Sequence, residues 1–322
     1  MTSYVKTAGT IVTAITLGIV FDACKNNDPI RPATTNPPIS IHLLRKDGFA
    51  SFTNSRHPGN RIGYRFFEHT PLIWGAVPGN IPEQRDAKMV EEISTRNGVV
   101  IYEKQIEENQ DWLSQIWTFY LAPSEDGIDM LWVIQSKESG LFNYYGVQQC
   151  FRMSGKSNST WRREIAETPA FSEYDLWKSQ TDMQSRTSLS WVLRNNDWQE
   201  LPAMDSCVAA QTPLGIRMDS ERFPQKPATV IGPYKGLLQE SIDCGLITRA
   251  DVAGEWICGM YWERTSHVTN HHPADCLHAI VNIGNLPANS KRFIRGKIYW
   301  FKGTKDDLLN KWRKDFPISS TE

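Results

Sequence analysis

Apolar and polar residues alternate with a period of two along much of this chain, and turn-forming clusters interrupt the alternation at short intervals. Segments 88–95 and 99–106 flank Arg96-Asn97-Gly98, where Asn-Gly tolerates the positive φ angles of a tight hairpin turn. Aromatic and β-branched runs follow at 112–121, 129–136 and 144–153, divided by Pro123-Ser124-Glu125-Asp126-Gly127 and Lys137-Glu138-Ser139-Gly140. Segment 187–194 leads into a turn at Asn195-Asn196-Asp197, and strands are predicted again over 255–263, 277–283 and 292–301. Helical signals are sparse. One helix is predicted over 159–167, capped by Ser157 or Asn158 and stopped before Pro169. A second starts at Thr304, with Asp307 completing a capping box and Leu308, Leu309 and Trp312 on one face. Many short strands and few helices predict a mostly β chain folded as a single large β-sandwich of the supersandwich kind. Residues 213–233, with several Pro and Gly, read as a long loop within that domain.

The N-terminus breaks the pattern. Lys6 is the only charge before an uncharged run over 7–21, and Phe21-Asp22-Ala23-Cys24 follows. That run is short for a membrane span and suits a signal-peptide core, and Ala23-Cys24 resembles a lipoprotein cleavage site with Cys24 as the lipidated residue. Phe21, Asp22 and the threonines depart from that pattern, and Ile11, Val12, Ile15, Leu17 and Ile19 would equally suit a buried strand. The expected organisation is a targeting segment 1–24, a Pro-rich tether 25–38 and a sandwich domain 39–322. An exported protein is expected: periplasmic, anchored at the outer membrane, or extracellular, touching membrane only through the lipid.

Charge narrows the partners. Lys plus Arg number 35 against 36 for Asp plus Glu, a formal net charge of -1, so no basic surface is offered to nucleic acid. The aromatic count is high, with 12 Trp, 10 Tyr and 13 Phe. Cores claim aromatics first, but flat rings also stack on the C–H faces of sugars, which leans the expected partner towards a polysaccharide or oligosaccharide. Beyond Cys24, cysteines stand at 150, 207, 244, 258 and 276, an odd number without C-x-x-C spacing, which favours free buried thiols.

Near the C-terminus, Asn285-Leu286-Pro287-Ala288-Asn289-Ser290, then Arg295-Gly296-Lys297-Ile298-Tyr299-Trp300-Phe301-Lys302-Gly303 and a helix, resemble the closing strand of galactose-mutarotase-like β-sandwich proteins. That superfamily includes sugar epimerases and the sandwich domains of polysaccharide lyases and hydrolases. The resemblance implies a sandwich and carbohydrate chemistry, and it transfers no catalytic residue.

Four segments carry candidate chemistry. The first runs from Tyr261 and Trp262 to His278 and holds four of the seven histidines, at 267, 271, 272 and 278. Imidazoles exchange protons near neutrality and Arg264 can grip a carboxylate at two points, so His267, His271 and Arg264 are expected in a loop performing acid–base work, with Trp262 against substrate. Adjacent His271 and His272 point apart on an extended chain and no metal-motif spacing is present, so no metal ligands are assigned and no cofactor is expected, a divalent cation being the alternative. The second segment, 143–152, supplies Tyr145 as a further proton-transfer group and Gln148, Gln149 and Arg152 for hydroxyl groups or a uronate carboxylate. The third offers Glu173 and Asp175, two apart, as a carboxylate pair or a cation site. The fourth sets Glu68 beside His69 among aromatics, readable either as a site or as a loop packing its rings inward. The expected function is a carbohydrate-active enzyme, foremost a polysaccharide lyase with His/Tyr acid–base chemistry and Arg/Gln neutralisation of the carboxylate. A glycoside hydrolase using a carboxylate pair and a non-catalytic glycan-binding lipoprotein are the alternatives. For every segment the bland reading is a core face, a solvated surface or histidines that hydrogen-bond a loop together.

Overall fold

Asparagines at the turns determine where the chain reverses. In the computed structural model Asn97 and Gly98 have φ of 50° and 75°, and Asn195 and Asn196 have φ of 51° and 62°. Both pairs form two-residue hairpin turns that match the right-handed twist of the strands they join. The Asp243 carboxylate accepts from the backbone N–H groups of Asn195 and Asn196 at 2.8 and 2.7 Å, securing the second turn. The structure describes residues 30, 36–44, 49–58, 60–74, 89–106, 114–137, 144–153, 187–202, 206–210, 236–251, 253–271, 276–283 and 286–317.

Among these residues the order of elements is β1 (Ile39–Leu44), β2 (Phe49–Asn54), β3 (Arg61–Trp74), β4 (Met89–Arg96), β5 (Val99–Ile106), β6 (Gln115–Pro123), β7 (Gly127–Ser136) and β8 (Tyr144–Met153). There follow β9 (Thr187–Arg194), β10 (Asp197–Pro202), β11 (Ser206–Ala210), β12 (Gly236–Ile242), β13 (Ile247–Ala250), β14 (Trp256–Trp262), β15 (Thr265–His271), β16 (Cys276–Asn282), β17 (Lys291–Lys302) and α1 (Lys305–Asp315). One sheet has eight strands in the order β1-β2-β3-β8-β16-β15-β11-β12, and the other nine in the order β10-β9-β13-β14-β17-β7-β6-β5-β4. Pairing is antiparallel except between β11 and β12, which run parallel.

The sheets face each other across an aromatic core. Phe66 stacks on Tyr102 at 5.1 Å and Phe119 on Trp132 at 4.8 Å, with Trp117 and Trp262 edge-on to Trp132. Polar links cross the same layer: Arg249 of β13 donates to Asn270 of β15 at 2.6 Å, and Asn54 of β2 donates to the Trp300 carbonyl of β17 at 3.2 Å. The fold is a β-sandwich. Its core takes in Phe52, Tyr64, Phe66, Tyr102, Trp117, Phe119, Trp132, Phe151, Trp262 and Trp300, and Phe293 is the one large hydrophobic side chain exposed among the described residues.

Helix α1 packs on the outside of the nine-stranded sheet through Leu308, Leu309 and Trp312. Thr304 and Asp307 close the expected capping box. Gly259 permits the approach, since a Cβ there would lie 2.9 Å from Leu308 Cδ1. Lys297, nearly enclosed, ties helix to sheet by reaching Asp315 at 2.9 Å, Asp129 at 3.2 Å and Asp126 at 3.3 Å. Burial alone would lower the Lys297 pKa, but the carboxylates outweigh it and hold the ammonium charged.

Two expectations are corrected. Residues 265–271, expected in a loop, form the interior strand β15, because β-branched Thr265, Val268 and Thr269 around the first histidine suit a pleated, covered sheet. The 65–74 segment, left open between site and loop, belongs to β3 and sends Phe66 into the core. The expected targeting segment 1–24, most of the expected 25–38 tether, the expected 159–167 helix and the expected 213–233 loop lie outside the described residues. Among the described residues no helix is long and apolar enough to cross a membrane.

Candidate functional site

Strand pairing sorts the side chains of β8, β16 and β15 into two sets. Val147, Phe151, Leu277, Ala279, Val281 and Val268 all belong to the core between the sheets. Alternate residues must then face away from the second sheet. These are Gln148 and Cys150 on β8, Cys276, His278 and Ile280 on β16, and His267 and Thr269 on β15. Register confirms the grouping: Gln148 and His267 both pair with Ile280, and Cys150 and Thr269 both pair with His278. This outer face is polar, yet all seven residues are buried. An outer sheet face is ordinarily apolar where covered and polar where wet, so a covered polar face needs internal partners or a ligand.

His267 has such a partner. Its Nδ1 lies 3.1 Å from Ser266 Oγ, and that hydroxyl donates to the Ile280 carbonyl at 3.0 Å. The serine proton is committed to Ile280, so Nδ1–H must donate to Ser266 and the lone pair sits on Nε2. Burial lowers the His267 pKa from 6.5 to about 4, so the ring is neutral at physiological pH. A neutral imidazole of fixed tautomer is a proton acceptor at one defined atom. Across the neighbouring pair of strands, His278 Nδ1 of β16 lies 2.8 Å from Thr269 Oγ1 of β15.

The other expected residues divide. Gln148 joins His267 on the outer face. Gln149 and Trp262 do not, and both assignments are corrected: Trp262 Nε1 donates to Tyr64 OH at 3.0 Å and Tyr64 OH donates to Gln149 Oε1 at 2.9 Å, all inside the sandwich. One step along a strand reverses the face, so adjacent glutamines cannot share a site. Burial, only partly offset by the Trp262 hydrogen bond, raises the Tyr64 pKa well above its usual value, which keeps this chain of donors neutral.

Arg264 occupies the corner where the chain passes from β14 in one sheet to β15 in the other, with φ of 64°. Its Nε donates to the Asn282 carbonyl at 2.7 Å, and partial burial, helped by Arg292, lowers its pKa to about 10. This is a bracing role at a sheet corner. By register Tyr145 pairs with Ile73, and Arg152 with Gly63 and Cys276, while His271 pairs with Cys276 at the end of β15. His69 falls in β3 where the register shifts between Glu68 and Leu72. Glu173 and Asp175 lie outside the described residues.

Sequence reasoning missed one constellation. Cys150, Cys276 and His278 bring two thiols and a ring nitrogen within 4.8 Å of one another. The signal was Cys276-x-His278, which shares a face if extended, but only register could bring in Cys150.

No protein-family model and no curated protein matches the chain. Solved structures do resemble it. An α-N-acetylgalactosaminidase of Bifidobacterium bifidum, in a quadruple mutant, aligns over 88% of this chain and 38% of its own, with a TM-score of 0.47 and 7% identity. A galactose mutarotase related enzyme from Lactobacillus acidophilus aligns over 83% of this chain and 99% of its own, with a TM-score of 0.42 and 7% identity. A galactose mutarotase-like protein from Lactobacillus casei aligns over 81% and 100%, with a TM-score of 0.38 and 9% identity. Likeness at this level carries neither an activity nor a site residue to this chain, which spans little more than a third of the glycosidase.

Proposed function

We propose that the protein is a carbohydrate-active enzyme of the lyase type, with His267 on the outer face of the eight-stranded sheet as the proton acceptor. The observation that carries this reading is the fixed tautomer: Ser266 holds Nδ1–H, and Nε2 keeps its lone pair. In the reaction proposed, Nε2 takes the proton from C5 of a uronate, a C4–C5 double bond forms, and the bond from C4 to the glycosidic oxygen breaks. The departing oxygen takes its proton from water. A buried imidazole is a weak base, so the C5 proton must be made more acidic by neutralising the carboxylate, a task suited to the Gln148 amide. His267 is 1% exposed, so substrate reaches Nε2 only when the atoms covering it part.

The test is incubation of the purified protein with a panel of uronate-containing polysaccharides, following ultraviolet absorbance of the unsaturated product. We expect His267→Ala to lose activity by about 10²–10⁴-fold, the contribution typical of a positioned acid or base. Undiminished cleavage by a folded His267→Ala protein, or no cleavage of any uronate by the wild type, ends the lyase reading.

A further inference from the structure

The geometry points to a metal site of two thiolates and one imidazole, formed by Cys150, Cys276 and His278 on the outer face of the eight-stranded sheet. Three features bring these groups together. Cys276 and His278 are two apart on β16 and so share a face. His278 pairs directly with Cys150 across the β8–β16 ladder. The three ligand atoms lie within 4.8 Å of one another, and all three residues are buried.

Tetrahedral zinc, with Zn–S of about 2.3 Å and Zn–N of about 2.0–2.1 Å, places its ligand atoms roughly 3.5–3.8 Å apart. Small rotations of three side chains would close the difference. Soft thiolates with an imidazole select zinc or monovalent copper over calcium or magnesium. Two thiolates balance the double charge of zinc, so the loaded centre adds no net charge to a buried face. Each cysteine gives up its proton on binding. Thr269 supplies the outer support usual for a ligating histidine: at 2.8 Å from Nδ1 it orients the ring and, accepting the Nδ1 proton, leaves metal ligation to Nε2.

Two ordinary explanations are less complete. A disulfide is ill placed, because Cys150 pairs with His278 and Cys276 with Arg152, making the two cysteines diagonal neighbours. Diagonal positions stand about 7–8 Å apart in a ladder, beyond the reach of a relaxed bridge. Neither cysteine forms a disulfide in this structure. Packing of cysteines as small apolar groups accounts for Cys244 and Cys258 in the apolar clusters. It does not account for two thiols meeting a histidine on a polar face. Three protein ligands leave a fourth position for water or a substrate oxygen, as in catalytic zinc centres of this ligand type.

The test uses the full chain, purified without an affinity tag, stripped with a chelator and titrated with cobalt(II). We expect one equivalent to produce thiolate-to-cobalt charge transfer in the near ultraviolet and the visible bands of a tetrahedral centre, both bleached by one equivalent of zinc. Cys150→Ser, Cys276→Ser and His278→Ala should each lose the tetrahedral spectrum, while Cys244→Ser keeps it. Circular dichroism of each variant separates a lost ligand from a lost fold, and the wild-type titration stands even if a variant misfolds. A stripped, folded wild type that gives no charge-transfer band and takes up no zinc overturns the site, as does an unchanged spectrum in folded Cys276→Ser. The lyase reading is independent of this outcome, since His267 is not a ligand and uronate cleavage is measured separately.

Discussion

At the centre of the eight-stranded sheet, the described residues of β8, β15 and β16 are buried on both faces, yet the two faces are chemically opposite. On β16 the inward set is Leu277, Ala279 and Val281, and the outward set is Cys276, His278 and Ile280. On β8 the inward set carries Val147 and Phe151, with Gln149 tied to Tyr64, and the outward set carries Gln148 and Cys150. Inward Gln149 is tied to Tyr64 and through it to Trp262 of the other sheet, and inward Asn270 to Arg249, so that face serves stability. Outward groups include imidazoles, thiols and an amide where apolar side chains would serve a covered sheet better. Burial by itself therefore does not separate scaffold from site in this molecule. What separates them is which way alternate residues point.

Truncation on the inward face should have the largest effect. Trp262→Ala removes an indole that packs edge-on against Phe119 and Trp132 and donates to Tyr64, so we expect a loss of about 3–5 kcal/mol in denaturant unfolding. A loss under about 1 kcal/mol would mean that the inward face is not the scaffold it resembles.

The outward face should reveal itself through acid. The folded state depresses the His267 pKa from 6.5 to about 4, so below 6.5 the unfolded chain binds a proton that the folded chain refuses. Stability present above pH 6.5 is therefore lost as pH falls towards about 4, by up to about 3 kcal/mol at the bottom of that window. Unfolding midpoints of the wild type and His267→Gln measured across the window should converge on acidification. Parallel curves would show that the ring is not held neutral by burial. His57 shares the window: stacked on Trp256 at 4.1 Å, its pKa is lowered to about 4 by partial burial against an opposing pull from Asp251, so the single-variant difference isolates His267.

The smallest effect sharpens the same contrast. Thr269→Val keeps the shape but removes the hydroxyl beside His278 Nδ1, and should cost about 1 kcal/mol by thermal or denaturant unfolding. The stripped variant should also take up cobalt less tightly. A cost as large as that of Trp262→Ala would place Thr269 with the scaffold.

Local signals made much of the architecture legible. Asn97-Gly98 and Asn195-Asn196 marked their hairpins because positive φ is cheap for those residues, and Thr304 with Asp307 marked the helix start because capping is a contact three residues long. The runs at 144–153 and 187–194 coincide with β8 and β9. The strands β1, β2, β11, β12 and β13 were not predicted; each is only four to seven residues long, and the membership of β11 and β13 in a sheet depends on partners far along the chain. The site was half legible. The 261–278 segment and the 143–152 strand were marked as chemical, and their strands do pair with β16 between them. The separation of Gln148 from Gln149, the enclosure of Trp262 and the corner position of Arg264 were not visible along the sequence.

The sequence alone determined what spans a few residues: alternation, turn types, the helix cap, and the two-residue spacing that gives Cys276 and His278 a common face. Only the tertiary structure decided which face each alternate set turned to, that Cys150 would stand opposite His278, and that a polar face would be buried. The reason is physical. Turn and cap preferences arise from neighbouring backbone dihedrals, whereas register and burial are decided by the joint packing of two sheets, whose energy belongs to no single segment.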